Sequence, residues 1–233
     1  MYQMIWLHGI VIYLLANLGL LFRIWWTRDC SGLSAKSQYL FAVALTLQYA
    51  DHVFLESTAL LGFEIVKIVF VALSYAIVVS ILCFFKGTYE KRYDTTRIST
   101  IVLPMVIWAL WIKQDNYCET MKNLGMMLGI VAMVPQFHFI SESMRIHTYI
   151  IIYIVAMAIS CSLSLAHSIV NFVDYRPHYM YEYVVRVADV ASLIVYCDFF
   201  LRILPWLMYR RDKARMQATS NTTTTDSRTP QPV

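Results

Sequence analysis

A succession of long, unbroken apolar runs dominates what this chain can fold into. The first extends from Met4 to Phe22 and stops at Arg23. The others are Gln38 to Leu55, Ile65 to Phe85, Ile98 to Ile112, Asn123 to Ile140, Thr148 to Val173 and Tyr183 to about Tyr209. Runs of about 15–25 residues suit α-helices that cross a hydrocarbon core about 30 Å thick. A β-barrel would show alternating segments of about 10 residues instead. Composition agrees. The chain is 59% hydrophobic and 15% charged, where soluble domains average about 25% charged residues. A soluble chain of 233 residues cannot hide that much apolar surface in one core. The expectation is an all-α membrane protein with seven spans over residues 1–209. The remainder, 210–233, is polar, carries the low-complexity patch Thr222 to Thr225, and is expected to be a disordered tail.

Lys and Arg give the spans a direction, because short cytosolic loops are enriched in them. The first, third and fifth loops and the tail hold Arg23, Arg28, Lys36, Lys86, Lys91, Arg92, Arg97, Arg145, Arg210, Arg211, Lys213, Arg215 and Arg228. The second, fourth and sixth loops hold only Lys113, Lys122 and Arg176. The tail is therefore expected in the cytosol and the N-terminus on the other side, which requires an odd number of spans. The same loops account for the net charge of +4, so no nucleic-acid partner is implied. The first run lacks a basic n-region and outlasts the usual signal-peptide core, so it reads as a span. Of the five cysteines, Cys118 alone falls in a non-cytosolic loop, and no disulfide framework is expected.

The fourth run is the shortest and has Pro104 near its middle. That suggests a three-plus-one-plus-three plan: two three-helix bundles joined by a short fourth helix, as in some small transporters. Lys36-Ser37-Gln38 and Val134-Pro135-Gln136 read as related entry points, one in each half.

Ionisable residues inside spans are costly and usually face a cavity or a partner. Asp51 has no Lys or Arg in its own helix, so its partner comes from a ligand, which makes it the leading functional residue, or from another helix, with Lys67 the structural alternative. Glu119 precedes the fifth span on the same side, and His8, His52, His138 and His167 lie in or beside spans. Arg186/Asp189 and Asp198/Arg202 have spacings that place each pair on one helix face, where it can neutralise itself. No His-x-x-Glu-His, Gly-x-Ser-x-Gly or phosphate-loop pattern is present. No enzyme activity, metal or cofactor is expected.

Several motifs, in order along nearly the whole chain, resemble one family. They are Arg23-Ile24-Trp25, Arg28-Asp29-Cys30-Ser31-Gly32-Leu33-Ser34-Ala35-Lys36-Ser37-Gln38, Tyr49-Ala50-Asp51, Lys86-Gly87-Thr88-Tyr89 with Asp94-Thr95 and Arg97, Val131 to Gln136, and Tyr196-Cys197-Asp198-Phe199-Phe200. The family is that of the ER lumen protein-retaining receptors, which bind Lys/His-Asp-Glu-Leu tails. The resemblance implies a lumenal N-terminus, a cytosolic C-terminus and cycling between Golgi and ER membranes. It implies capture of C-terminal retention-signal peptides in the acidic Golgi and release in the ER. It also implies a basic tail signal, here Arg210, Arg211 and Lys213, read by the retrograde coat; the same cluster suits contact with membrane lipid.

A tail ending in Asp-Glu-Leu brings three carboxylates, so its cavity should supply cations, with Arg favoured for its fork geometry. Release on rising pH calls for a group titrating near neutrality, His by default. Carried over by the resemblance, Asp51 and Glu119 fall on ligand-cavity positions, and Arg176 matches an Arg just beyond the sixth helix. Elsewhere the pattern departs. A family Arg falls on Trp6, a His on Tyr13, a second Arg on Gln48, and a fifth-helix acid on Gly129. The candidate ligand residues are thus Asp51, Glu119, Arg176 and His167, in a cavity that has kept acids and lost cations. The rival expectation is a small-solute, sugar-type transporter on the same plan, prompted by the polar stripe Ser160, Ser162 and Ser164.

Overall fold

The computed structural model describes residues 2–49, 61–112, 117–144, 147–174, 180–213 and 216. Asp51, Arg176 and most of the tail lie outside them. The described residues form helices, with no strand among them. We label these α1 (Tyr2–Thr27), α2 (Ala35–Gln48), α3 (Leu61–Val79), α4 (Ile98–Trp111), α5 (Tyr117–Val131), α6 (Val134–Ser143), α7 (Thr148–Asp174) and α8 (Met180–Asp198). Short π turns at Ser80–Phe84 and Phe199–Ile203 extend α3 and α8. Helices α5 and α6 form one broken rod, so the described residues make seven rods, each at one of the expected spans.

Four rods are apolar and long enough to cross a membrane unaided: Leu7–Thr27, Ile65–Phe84, Tyr117–Ser143 and Thr148–Phe172. The polarity is inverted relative to a soluble protein. Leu15, Phe22, Trp26, Leu103, Leu110, Trp111 and Leu201 are exposed, while Asn17, Ser37, Gln38, Asn123 and Gln136 are buried. Helix α4 has 14 residues, or about 21 Å at the α-helical rise. It packs on α5 and turns most of its large side chains outward, as a linking helix should.

The packing reveals the two bundles. Outside sequence neighbours, the most extensive contacts are α1 with α7 and α2 with α5; α2 packs on α3, α1 on α3, α5 on α8, and α7 on α8. A pseudo-twofold that exchanges the first rod with the fifth, the second with the sixth and the third with the seventh maps every one of these pairs onto another. Gln38 and Gln136 are therefore not equivalent positions, as the sequence suggested. They sit on rods that face each other across the two bundles. Gly125 makes the α2–α5 approach possible, since a Cβ there would come within 2.5 Å of the Gln48 nitrogen and 2.6 Å of the Ala44 oxygen.

The break between α5 and α6 is where this approach is secured. Pro135 lacks an N–H and cannot continue the helical ladder, and Ala132 and Met133 form a turn. Backbone groups freed inside a membrane protein must be satisfied internally. The Ser37 hydroxyl donates to the Ala132 carbonyl at 2.6 Å. The Gln136 side chain accepts from the Ser34 N–H at 2.8 Å and donates to the Gly32 carbonyl at 2.8 Å. Ser34 caps α2 by accepting from the Ser37 N–H. Its hydroxyl in turn donates to buried Asp94, 3.0 Å away. Asp94 also accepts from Tyr89, and Lys36 donates to the carbonyls of Asp94 and Thr96 at 2.5 and 2.8 Å. Burial, reinforced by the bond to Asp94, pushes the Tyr89 hydroxyl well above its ordinary pKa, so it stays a donor. Burial likewise pushes the neighbouring Cys30 thiol up to about 11, with Asp29 adding to the effect and Thr88 opposing it.

Two further points correct the sequence boundaries. Helix α1 runs past Arg23 to Thr27, with the Arg23 guanidinium stacked 4.8 Å from the Tyr149 ring centre. The seventh rod stays helical to residue 213 rather than ending at 209, because no Gly or Pro stops it there and Arg210 stacks 4.3 Å over Trp206. Arg210, Arg211 and Lys213 are thus exposed residues on a helix.

Gln136→Leu leaves the Ser34 N–H and the Gly32 carbonyl buried without partners, at about 1–3 kcal/mol each. It is expected to lower the Tm of the purified protein clearly. His138→Leu, which loses only an exposed contact to Thr95, should change it little; thermal unfolding of the two variants checks this.

Candidate functional site

Above the break, the two bundles enclose a cavity of about 400 Å³. Five helices contribute to its wall. Tyr13 comes from α1, Gln48 and Tyr49 from the end of α2, Met126 and Gly129 from α5, Ser160 and Ser164 from α7, and Asp189, Ser192 and Tyr196 from α8. A second space of about 230 Å³ adjoins it and shares Tyr13, Gln48, Tyr49, Ser160 and Ser164. Both fall in or near the size range of ligand pockets, about 300–1,000 Å³.

The lining mixes polar groups with a larger share of apolar ones and is poor in cations. Among the described residues it holds one carboxylate, Asp189, and no Lys, Arg or His. The Asp189 carboxylate does not turn to Arg186, as the spacing implied. It accepts from the hydroxyls of Ser168 at 2.7 Å and Ser164 at 3.2 Å, both on α7. Arg186 stacks over the rings of Phe172 and Tyr183. The Asp198/Arg202 pair does form, at 3.3 Å, and is exposed. The serine stripe of α7 divides its work. Ser160 donates to the Gly9 carbonyl of α1, Ser162 donates back to its own helix, and Ser164 holds Asp189. That is helix packing through small polar residues, plus one anchored acid.

Of the sequence candidates, Asp51 and Arg176 lie outside the described residues. Glu119 is half-buried in the first turn of α5 and does not line the cavity. His167 is half-buried on α7, with its Nε2 2.8 Å from the Asn171 amide, and also stands outside the lining. Lys67 lies nearer, its Nζ 6.0 Å from the ring centre of Tyr49 at the cavity wall. Three positions that the motif alignment flagged as departures are in the wall: Tyr13, Gln48 and Gly129. Tyr49 and Tyr196 entered the sequence reading only as motif residues and Ser192 escaped it, because a Tyr or Ser within an apolar helix carries no signal of facing a cavity.

These features define a multi-span helical membrane protein: two pseudo-symmetric bundles around a cavity, with no cluster of metal-ligating side chains among the described residues. Comparison with known proteins gives the family. The chain belongs to the family described as ER lumen protein retaining receptor, which matches residues 29–173. It is 33% identical over 195 residues to ER lumen protein-retaining receptor 2 of Homo sapiens and to that of Bos taurus, covering 83% of this chain and 90% of each relative. It is 32% identical over 196 residues to the Gallus gallus protein of the same name. This is a receptor family, which decides between the two expectations in favour of receptor over transporter.

Gln48→Arg places a guanidinium back in the cavity wall, and Asp189→Asn removes its described negative charge. Each is expected to tighten binding of an acidic His-Asp-Glu-Leu peptide, the first by about 10–100-fold, the worth of one charge-assisted contact. Calorimetric titration of the purified variants measures it. Unchanged affinity in both would place the peptide elsewhere.

Proposed function

We propose that the protein retrieves escaped lumenal proteins to the ER, binding their C-terminal retention signals in the cavity between the bundles. The observation that supports this reading most is spatial. Tyr13, Gln48 and Gly129, widely separated in sequence, are positions where the motif alignment puts ligand-cavity residues of the family, and all three line this one cavity. Asp51, two residues beyond Tyr49 in the sequence, is assigned to ligand binding by the motif alignment. Glu119, Arg176 and His167 are proposed to contribute to it. The N-terminus is lumenal and the C-terminus cytosolic, as the Lys/Arg asymmetry requires, and the protein resides in ER and Golgi membranes. Arg210, Arg211 and Lys213 project from the cytosolic end of the seventh rod, where the retrograde coat or anionic lipid can reach them.

The cavity chemistry refines the ligand. Three carboxylates of an Asp-Glu-Leu end would meet mostly neutral donors from Tyr, Gln and Ser. Two or three charge-assisted contacts fewer, at about 1.5–3 kcal/mol each, amount to several orders of magnitude in Kd. The signal read by this chain is therefore a variant less acidic than His-Asp-Glu-Leu.

The test is retention of secreted reporters carrying a panel of C-terminal tetrapeptides, in cells that lack their own receptors, with and without this chain. A less acidic tail should be retained better than His-Asp-Glu-Leu. Retention of no tail at all would overturn the retrieval function; best retention of His-Asp-Glu-Leu would overturn the altered specificity.

A further inference from the structure

A third cavity, of about 210 Å³, lies on the outer side of the α1–α7 contact, away from the ligand cavity. Its walls are Leu15, Ala16, Gly19 and Leu20 of α1 with Ile152, Tyr153 and Ala156 of α7, and Arg23 and Tyr149 close one end. Leu15 and Ile152 are 60% and 63% exposed, so the cavity opens toward the hydrocarbon. Gly19 widens it, since a Cβ there would have nothing within 4 Å.

The polar end is unfinished. The Arg23 Nη1 is buried and has no hydrogen-bond acceptor among the described residues. The guanidinium is held 4.8 Å over the Tyr149 ring, and Tyr149 is itself fixed by donating to the Ser31 carbonyl. A buried cationic donor without an acceptor is costly, and a stacked guanidinium is pre-set to grip an anion by its fork. An apolar slot open to the hydrocarbon and capped by such a cation suits an anionic headgroup joined to an acyl chain.

We propose that this cavity is a binding site for an acidic phospholipid. The headgroup phosphate accepts from Arg23, and an acyl chain lies along Leu15, Gly19, Ile152 and Ala156. The occupant comes from the cytosolic leaflet, where acidic lipids concentrate and where the proposed topology puts Arg23. The site is independent of retention-signal binding, and the lipid strengthens the α1–α7 seam between the two bundles.

The protein, purified in dodecyl maltoside, is titrated with dioleoylphosphatidylserine, dioleoylphosphatidylcholine or inorganic phosphate. Bound lipid is read by native mass spectrometry and Tm by intrinsic fluorescence. The serine lipid should bind and raise Tm, while the choline lipid and inorganic phosphate should do neither. Arg23→Gln should weaken binding about tenfold, the worth of one charge-assisted contact, with Arg23→Lys keeping part of it. Gly19→Leu, which fills the slot and leaves Arg23 in place, should weaken binding similarly, and it decides the matter if Arg23→Gln does not fold. Equal binding by wild type and Gly19→Leu, equal binding of the choline lipid, or a full Tm shift from inorganic phosphate alone would each overturn the site.

Discussion

The Gln136 side chain ties two distant parts of this chain together. It bonds two backbone groups of the loop before α2, at Gly32 and Ser34, from a helix more than a hundred residues further along. It does so at the place where the fifth rod is broken and where a membrane interior offers no water to satisfy the break. Ser37 covers the Ala132 carbonyl from the same side, and Ser34 passes the connection to Asp94, and through it to Lys36 and Tyr89. One end of the bundle pair is thereby sealed by a connected polar network. The cavity lies on the other side of the break from this network, toward the C-terminal end of α2.

Much of the fold was legible from apolar run lengths. All seven rods fall on the expected spans, and the three-plus-one-plus-three plan appears in the packing. Run length and charge placement are local properties, so a linear reading recovers them. The role of the Gln136 motif was not local. Val134-Pro135-Gln136 and Lys36-Ser37-Gln38 looked like two copies of one feature, yet they are two halves of one contact. Repetition and complementarity look alike in a single sequence.

The site was read less well, for a related reason. Spacing paired Asp189 with Arg186 on one helix face, but a helix face does not say which neighbour lies opposite. The structure sets two α7 hydroxyls against Asp189 and gives Arg186 to aromatic rings. Tyr13, Gln48 and Gly129 entered the sequence reading only through the family resemblance, and they proved to share a wall. Charge placement and the resemblance pointed to Glu119, and charge placement to His167; both lie outside that wall. In a membrane protein the costly charge is the visible signal, whereas a cavity can be built from Tyr, Gln and Ser without any.

The central claim is that retention-signal peptides enter the cavity between the bundles. Photocrosslinking tests it most directly, using a tail peptide with a photoreactive diazirine analogue in place of its terminal Leu and mapping the adducts by mass spectrometry. The account predicts adducts on wall residues such as Tyr49, Met126 and Met157. Adducts confined to the sealed end, around Ser31, Tyr89 or Tyr149, would contradict it.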